Sequence, residues 1–225
     1  MNLLILDTET TGIDPATSAV IELGCVLWSV EYACVISCYS ELVEGVENPV
    51  AEINRIPANA RRLGRGYGKI VADLWALEGR ADYIIAHNAR FDKGFVGQHT
   101  TKPWICSMED IEWPRSSNSQ SLIAIALAHD VGVVTAHRAL ADCLILARLF
   151  ERCVELGFAI EAMIELALRP KKVYKAIVTY GTKELAKQNK FRWDQDRKIW
   201  HRRMVPADTA KLPFKVEEVA AEGGV

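Results

Sequence analysis

Leu3-Leu4-Ile5-Leu6-Asp7-Thr8-Glu9-Thr10-Thr11-Gly12 is the stretch that decides the fold of this 225-residue chain. Four consecutive apolar residues ending in a carboxylate suit a central strand buried on both faces. Residues two apart in a strand share a face, so Asp7 and Glu9 present their carboxylates together. Two such groups at the end of an apolar strand repel each other and lose hydration, and a divalent cation relieves both costs. Taken alone, an Asp-x-Glu pair is more often a solvated strand edge. Thr10, Thr11 and Gly12 then turn the chain away.

Outward from this strand, Val20–Trp28 and Ala33–Val43 are rich in β-formers, and short connections make an antiparallel meander of the first three strands. Helical spacing marks Lys69–Glu78 through Ile70, Leu74 and Leu77. Tyr83–Ala86 reads as a second buried strand, and Ala89–Gln98 as the helix after it. Ser121–His129 is helical. Ala139–Glu155 is the clearest helix, with Leu140, Leu144, Ala147, Phe150 and Val154 as its expected apolar stripe. A meander followed by strands alternating with helices indicates an α/β domain with a mixed sheet. Pro170 breaks the helical pattern of residues 159–168. A small α+β appendage follows, with a strand near Val173–Tyr180, a helix at Lys183–Asn189 and a hairpin turning around Asp194–Lys198. The expected organisation is a domain over 1–168, a basic module over 169–205 and a tail over 206–225 with little to bury.

The formal net charge is −2, but its distribution is uneven. Residues 1–168 carry 13 Lys/Arg against 22 Asp/Glu, whereas residues 169–203 carry 12 against 3. A concentrated basic appendage on an acidic body hints at a polyanionic partner. A merely solvated basic face accounts for the charge equally well. The six cysteines include no C-x-x-C pair, and buried reduced thiols are expected ahead of disulfides or zinc. The N-terminal run lacks a basic leader and has only four apolar residues, so neither a signal peptide nor a membrane span is expected. The chain reads as cytoplasmic.

Two further motifs carry acidic groups. His87-Asn88-Ala89-Arg90-Phe91-Asp92 follows directly on the Tyr83–Ala86 strand, which places Asp92 near the strand's C-terminal edge, where ligand sites in open α/β sheets gather. A helix-start carboxylate favoured by the dipole would look the same. In His137-Arg138-Ala139-Leu140-Ala141-Asp142-Cys143, five residues separate His137 from Asp142, about 140° around an ideal helix. The two meet in one pocket if His137 lies in the loop before the helix and Asp142 on its second turn.

Each piece is ordinary, but the ordered set Asp-x-Glu-Thr, His-Asn-x-x-Phe-Asp, His-x-x-x-x-Asp resembles the DEDD exonuclease superfamily in its DEDDh, or DnaQ-like, branch. The resemblance covers roughly residues 1–155. Trp104–Met108, Ile53–Ile56 and the His137 motif look similar to the exonuclease X group, although Asn54 stands where that group usually has His. The resemblance implies a ribonuclease H-like mixed sheet flanked by helices and a 3′→5′ exonuclease releasing 5′-mononucleotides. Asp7, Glu9, Asp92 and Asp142 would hold two divalent cations, Mg²⁺ or Mn²⁺, about 3.5–4 Å apart. His137 would be the general base, a role that suits imidazole as a side-chain type. The terminal nucleotide would meet Thr10, Thr11, Ile13, Asn54, Asn88 and Phe91. The expected partner is single-stranded DNA, with an exoribonuclease of the same fold as the alternative and a non-catalytic nucleic-acid-binding module behind both. Relatives that dimerise make a homodimer a further expectation.

In the appendage, Arg192, Trp193, Lys198, Trp200 and Arg202 alternate cations with tryptophans, as surfaces that hold single strands do. The same tryptophans would also serve as the core of so small a unit.

Overall fold

The computed structural model describes residues 1–135 and 137–220. Two compact units divide the chain, Met1–Ala167 and the residues from Leu168 onward. In chain order the first unit runs β1 (Asn2–Thr10), β2 (Val20–Ser29), β3 (Cys34–Leu42), α1 (Ala51–Asn54), α2 (Tyr67–Glu78), β4 (Tyr83–Ala86), α3 (Ala89–Val96), β5 (Trp104–Cys106), α4 (Leu122–Ala128), α5 (Ala139–Glu155) and α6 (Ile160–Ala167).

Its five-stranded sheet has the order β3-β2-β1-β4-β5, with β1–β2 and β2–β3 antiparallel and β1–β4 and β4–β5 parallel. This is a mixed, ribonuclease H-like sheet flanked by helices. The apolar run of β1 sits at its centre and divides by parity. Leu3 and Ile5 enter a core with α4, α5 and α6, while Leu4 and Leu6 enter a second core with Ile70, Leu74 and Phe95 of α2 and α3. A short β5, too brief to show periodicity, completes the edge.

The stripe expected for α5 is displaced. Leu144 and Val154 are exposed, and the buried face runs through Ala139, Cys143, Leu146, Ala147, Phe150 and Cys153. Small residues lead that face because the start of α5 lies directly on the sheet. A Cβ placed on Gly24 would stand 2.4 Å from the Ala139 carbonyl carbon and the Leu140 nitrogen. The Cys143 thiol donates to the Gly24 carbonyl at 3.4 Å. Gly24→Ala is therefore expected to destabilise the protein by about 1–3 kcal/mol or more, because the obstacle is backbone that cannot rotate away. Denaturant unfolding checks this, and an unchanged midpoint would contradict the close approach.

The second unit runs β6 (Lys172–Ala176), α7 (Lys183–Gln188), β7 (Arg192–Asp194), β8 (Ile199–Met204) and β9 (Val216–Val219), forming a sheet of order β7-β8-β6-β9. The tail expected over 206–225 is corrected over its described part. Residues 206–211 form a 3-10 turn, and β9 pairs antiparallel with β6. Leu212, Phe214 and Val216 pack on Tyr174, Ala186, Phe191 and Met204. So small a core recruits every apolar side chain within reach. Residues 221–225 lie outside the described residues. All six cysteines are free, but Cys34 and Cys38 are exposed on β3 rather than buried. No helix among the described residues is long and apolar enough to cross a membrane.

Candidate active site

The parity that sorts the β1 core also sorts its polar end. Asp7 and Glu9 continue the Ile5 face toward α5, whereas Thr8 continues the Leu6 face toward α3. Asp142 stands in the first turn of α5, one turn earlier than expected. Gly24 pairs with Asp7 across β1 and β2, so the approach it permits brings the start of α5 over the carboxylates. Asp7, Glu9 and Asp142 each offer a carboxylate oxygen, and these oxygens lie within 4.8 Å of one another. Asp142 Oδ1 is buried with no hydrogen-bond partner among the described residues.

Asp92 belongs to the other face. It is buried, and its Oδ1 accepts from the Thr8 backbone N–H at 2.9 Å and the Thr8 hydroxyl at 2.8 Å. It borders the three carboxylates rather than completing their cluster, yet its charge still reaches Asp7.

The electrostatics are those of crowded anions. Burial, then the charges of Asp92, Asp142, Glu9 and Glu22, push the Asp7 carboxyl well above the usual range. Burial together with Asp142 and Glu22 raises Glu9 to about 7, against a smaller lowering by Arg138. Burial raises Asp92 to about 7, resisted by its Thr8 hydrogen bonds. Burial also raises Asp142, while the ring charge and backbone of His137 pull it down. Three convergent carboxylates, one of them with an orphaned oxygen, fit a hard divalent cation, whose charge would reverse each of these costs.

His137 lies in the loop before α5, exposed and with φ of 60°. Its neighbour Arg138 is anchored by Glu22, a residue the sequence reading passed over. Glu22 is 1% exposed and pairs opposite Glu9. It accepts from Arg138 Nε at 2.9 Å, Arg138 Nη2 at 2.8 Å and the Ala139 backbone at 3.1 Å. This fork fixes the chain on the C-terminal side of His137. A lone glutamate inside the apolar run Val20-Ile21-Glu22-Leu23 was the available signal for it, as glycine inside a strand was for Gly24.

Glu22→Gln weakens the anchor but also relieves repulsion on Asp7, Glu9 and Asp142. With a cation present only the first effect remains, so the loss of melting temperature is expected to be larger with Mn²⁺ than with EDTA. Charged hydrogen bonds set its size at about 1–3 kcal/mol, reduced because the Arg138 side chain is partly exposed. Equal losses in both buffers would contradict this reading.

The expected nucleotide contacts separate. Ile13 is 87% exposed in the turn after β1, and Asn88 is exposed at the start of α3 with φ of 68°. The Thr10 hydroxyl donates to the Gly12 carbonyl, and the Thr11 hydroxyl accepts from the Ala19 N–H, so both close their own loop. Phe91 packs on Phe95 with ring centroids 5.1 Å apart. Asn54 is corrected. It is fully buried, its Oδ1 accepting from Asn48 and from the Ile56 backbone, and it braces its loop from inside.

In the second unit Trp193 and Trp200 are cross-strand partners with ring centroids 5.6 Å apart. Trp200 and Arg202 share a sheet face, and Arg202 Nη1 donates to the Asn189 carbonyl. Strand parity puts Arg192 on the opposite face, so the expected set of five divides. Lys198 sits in the hairpin turn with φ of 54°.

Comparison with known proteins agrees with the fold. The chain is 28% identical over 170 residues to the PolC-type DNA polymerase III of Thermotoga petrophila and to that of Thermotoga maritima. The match takes in 68% of this chain but only 12% of each polymerase, so the chain spans a small part of those relatives. Exonuclease X in complex with 5′-overhanging duplex DNA is 25% identical with a TM-score of 0.54, over 73% of this chain and 99% of that one. Escherichia coli exonuclease I in complex with a dT13 oligonucleotide shares the fold at 16% identity and a TM-score of 0.57, over 79% and 48% of the two chains. A domain of unknown function (DUF8626) matches residues 172–219. The Exonuclease family profile matches residues 4–150, from the central strand to the helix bearing Asp142, and this chain belongs to that family.

Proposed function

We propose that the chain is a metal-dependent 3′→5′ exonuclease that releases 5′-mononucleotides, with single-stranded DNA as its favoured strand. One observation carries the reading. Three carboxylates from β1 and α5 bring oxygens within 4.8 Å of one another, and one of the three, Asp142, keeps a buried Oδ1 without a hydrogen-bond partner among the described residues, on the fold of a nuclease family.

Asp7, Glu9 and Asp142 would hold Mg²⁺ or Mn²⁺, with Asp92 at the border contributing charge. When bound, such cations activate water and neutralise charge on phosphate and leaving oxygens. The remaining work falls to the chain. His137, exposed beside Asp142 and anchored through Arg138, accepts a proton from the attacking water. Ile13 and Asn88, both exposed, would touch the terminal nucleotide, while Thr10, Thr11 and Phe91 would shape the loop and core beside it.

The test uses matched 5′-labelled DNA and RNA strands, single and duplex, with Mg²⁺ or Mn²⁺. A ladder shortening one nucleotide at a time from the 3′ end, abolished by EDTA, is expected, with single-stranded DNA degraded fastest. Internal cuts, or degradation that persists in EDTA, would contradict the proposal. Faster loss of RNA would move the substrate to the exoribonuclease alternative.

A further inference from the structure

The second unit holds a surface that the nuclease reading does not use. Tyr180 is 85% exposed, and the Lys183 ammonium lies 3.8 Å from its ring centroid. Lys187 is one turn further along α7, on the same side as Lys183. Its ammonium lies 5.9 Å from the centroid of Trp200, whose ring is 5.6 Å from that of Trp193. Tyr180, Lys183, Lys187, Trp200 and Trp193 thus form one continuous strip in which aromatic rings alternate with ammonium groups.

Core packing does not account for this strip. Trp200 does contribute to the small core, but Trp193 is 44% exposed and Tyr180 is almost entirely so. Residues 168–220 carry 14 Lys/Arg against 6 Asp/Glu, so the surroundings favour an anion. Glu184 pairs with Lys187 at 2.9 Å, and an exposed pair of this kind exchanges readily for phosphate. Rings for base stacking, interleaved with cations for phosphate, are the chemistry of single-strand binding.

We propose that this strip binds single-stranded nucleic acid, as a second binding site separate from the carboxylate cluster. The proposal rests on the nuclease reading only in taking nucleic acid as the ligand.

The test measures binding of the full chain to labelled oligo-dT and oligo-rU, and to a duplex, in EDTA so that nothing is cleaved. Trp193→Ala and Tyr180→Ala are each expected to weaken single-strand binding about tenfold, the size of one lost base stack. Lys183→Gln combined with Lys187→Gln should reduce the salt slope by about 1.4, two phosphate contacts' worth. Lys175→Gln, on the opposite sheet face, should change binding less than the lysine pair does. Tyr180 is exposed enough that its replacement does not endanger folding. Unchanged affinity in both aromatic variants would overturn the proposal, as would equal losses from Lys175→Gln and the lysine pair, or duplex binding as tight as single-strand binding. Hydrolysis of a trinucleotide with Mg²⁺ separates the two readings. The strip variants should cleave it at the wild-type rate, and failure of the wild type to cleave it would count against the nuclease reading alone.

Discussion

Asp7→Asn is expected to abolish hydrolysis while making the metal-free protein harder to unfold. Asp7 is the most crowded of the carboxylates, raised by burial and by four neighbouring charges. An amide of the same shape removes one of the mutually repelling anions. Melting temperature in EDTA should rise by roughly 2–4 °C for each kcal/mol of repulsion relieved. The catalytic cost runs the other way. Losing one group that stabilises transition-state charge costs roughly 10²–10³ in rate, and loss of a metal ligand should cost at least that. Unfolding and hydrolysis of the same preparation check both halves. A variant that is inactive and less stable than wild type would show that Asp7 supports the fold rather than the chemistry. Such opposition between stability and activity is expected where like charges are held together for function.

The second large effect is a dependence of stability on pH that a cation reverses. Glu9 and Asp92, ordinarily near 4.5 and 3.8, are both raised to about 7 in the folded protein. A carboxyl whose folded pKa lies above its unfolded one binds protons more tightly when folded. Its contribution is therefore fullest at acid pH and is lost as pH rises through about 7. Melting temperature of the metal-free protein should fall between about pH 5 and about pH 8 from these groups. Mn²⁺ competes with those protons, so its stabilising increment should grow over the same range. At a hundredfold excess over Kd the increment is about 2.7 kcal/mol. Thermal scans in EDTA and in Mn²⁺ across the range measure it. An increment that is flat with pH would mean that the cation does not replace protons at these carboxylates.

The sheet was legible because β1 is apolar on both faces, and Asp7 and Glu9 because they share one side of a parity that sequence displays directly. Parity also separates Asp92 from the cluster, since Thr8 points away from Asp7 and Glu9. That separation needed the position of α3, which spacing along the chain does not carry. The displaced stripe on α5 has a similar origin. Cys143 and Ala139 look unremarkable beside Leu144 and Val154, and only the close approach at Gly24 makes small side chains the buried ones. Glu22 escaped notice because its partner is 116 positions away. In the second unit, β9 was hidden by its own composition, Val216-Glu217-Glu218-Val219, whose acidic residues pair with Lys175 and Lys172 of β6. Asn54 looked like a substrate contact by position in its motif, but its side-chain oxygen is taken up by the loop that carries it, and its Nδ2 is buried without a partner among the described residues.

The central claim is that Asp7, Glu9 and Asp142 together form a divalent-cation site. Calorimetric titration of Mn²⁺ into the metal-free chain near pH 8 tests it most directly. Saturable binding in the wild type, lost or severely weakened in each of Asp7→Asn, Glu9→Gln and Asp142→Asn, is the predicted result. Binding that survives all three substitutions would place the cation elsewhere and contradict the account.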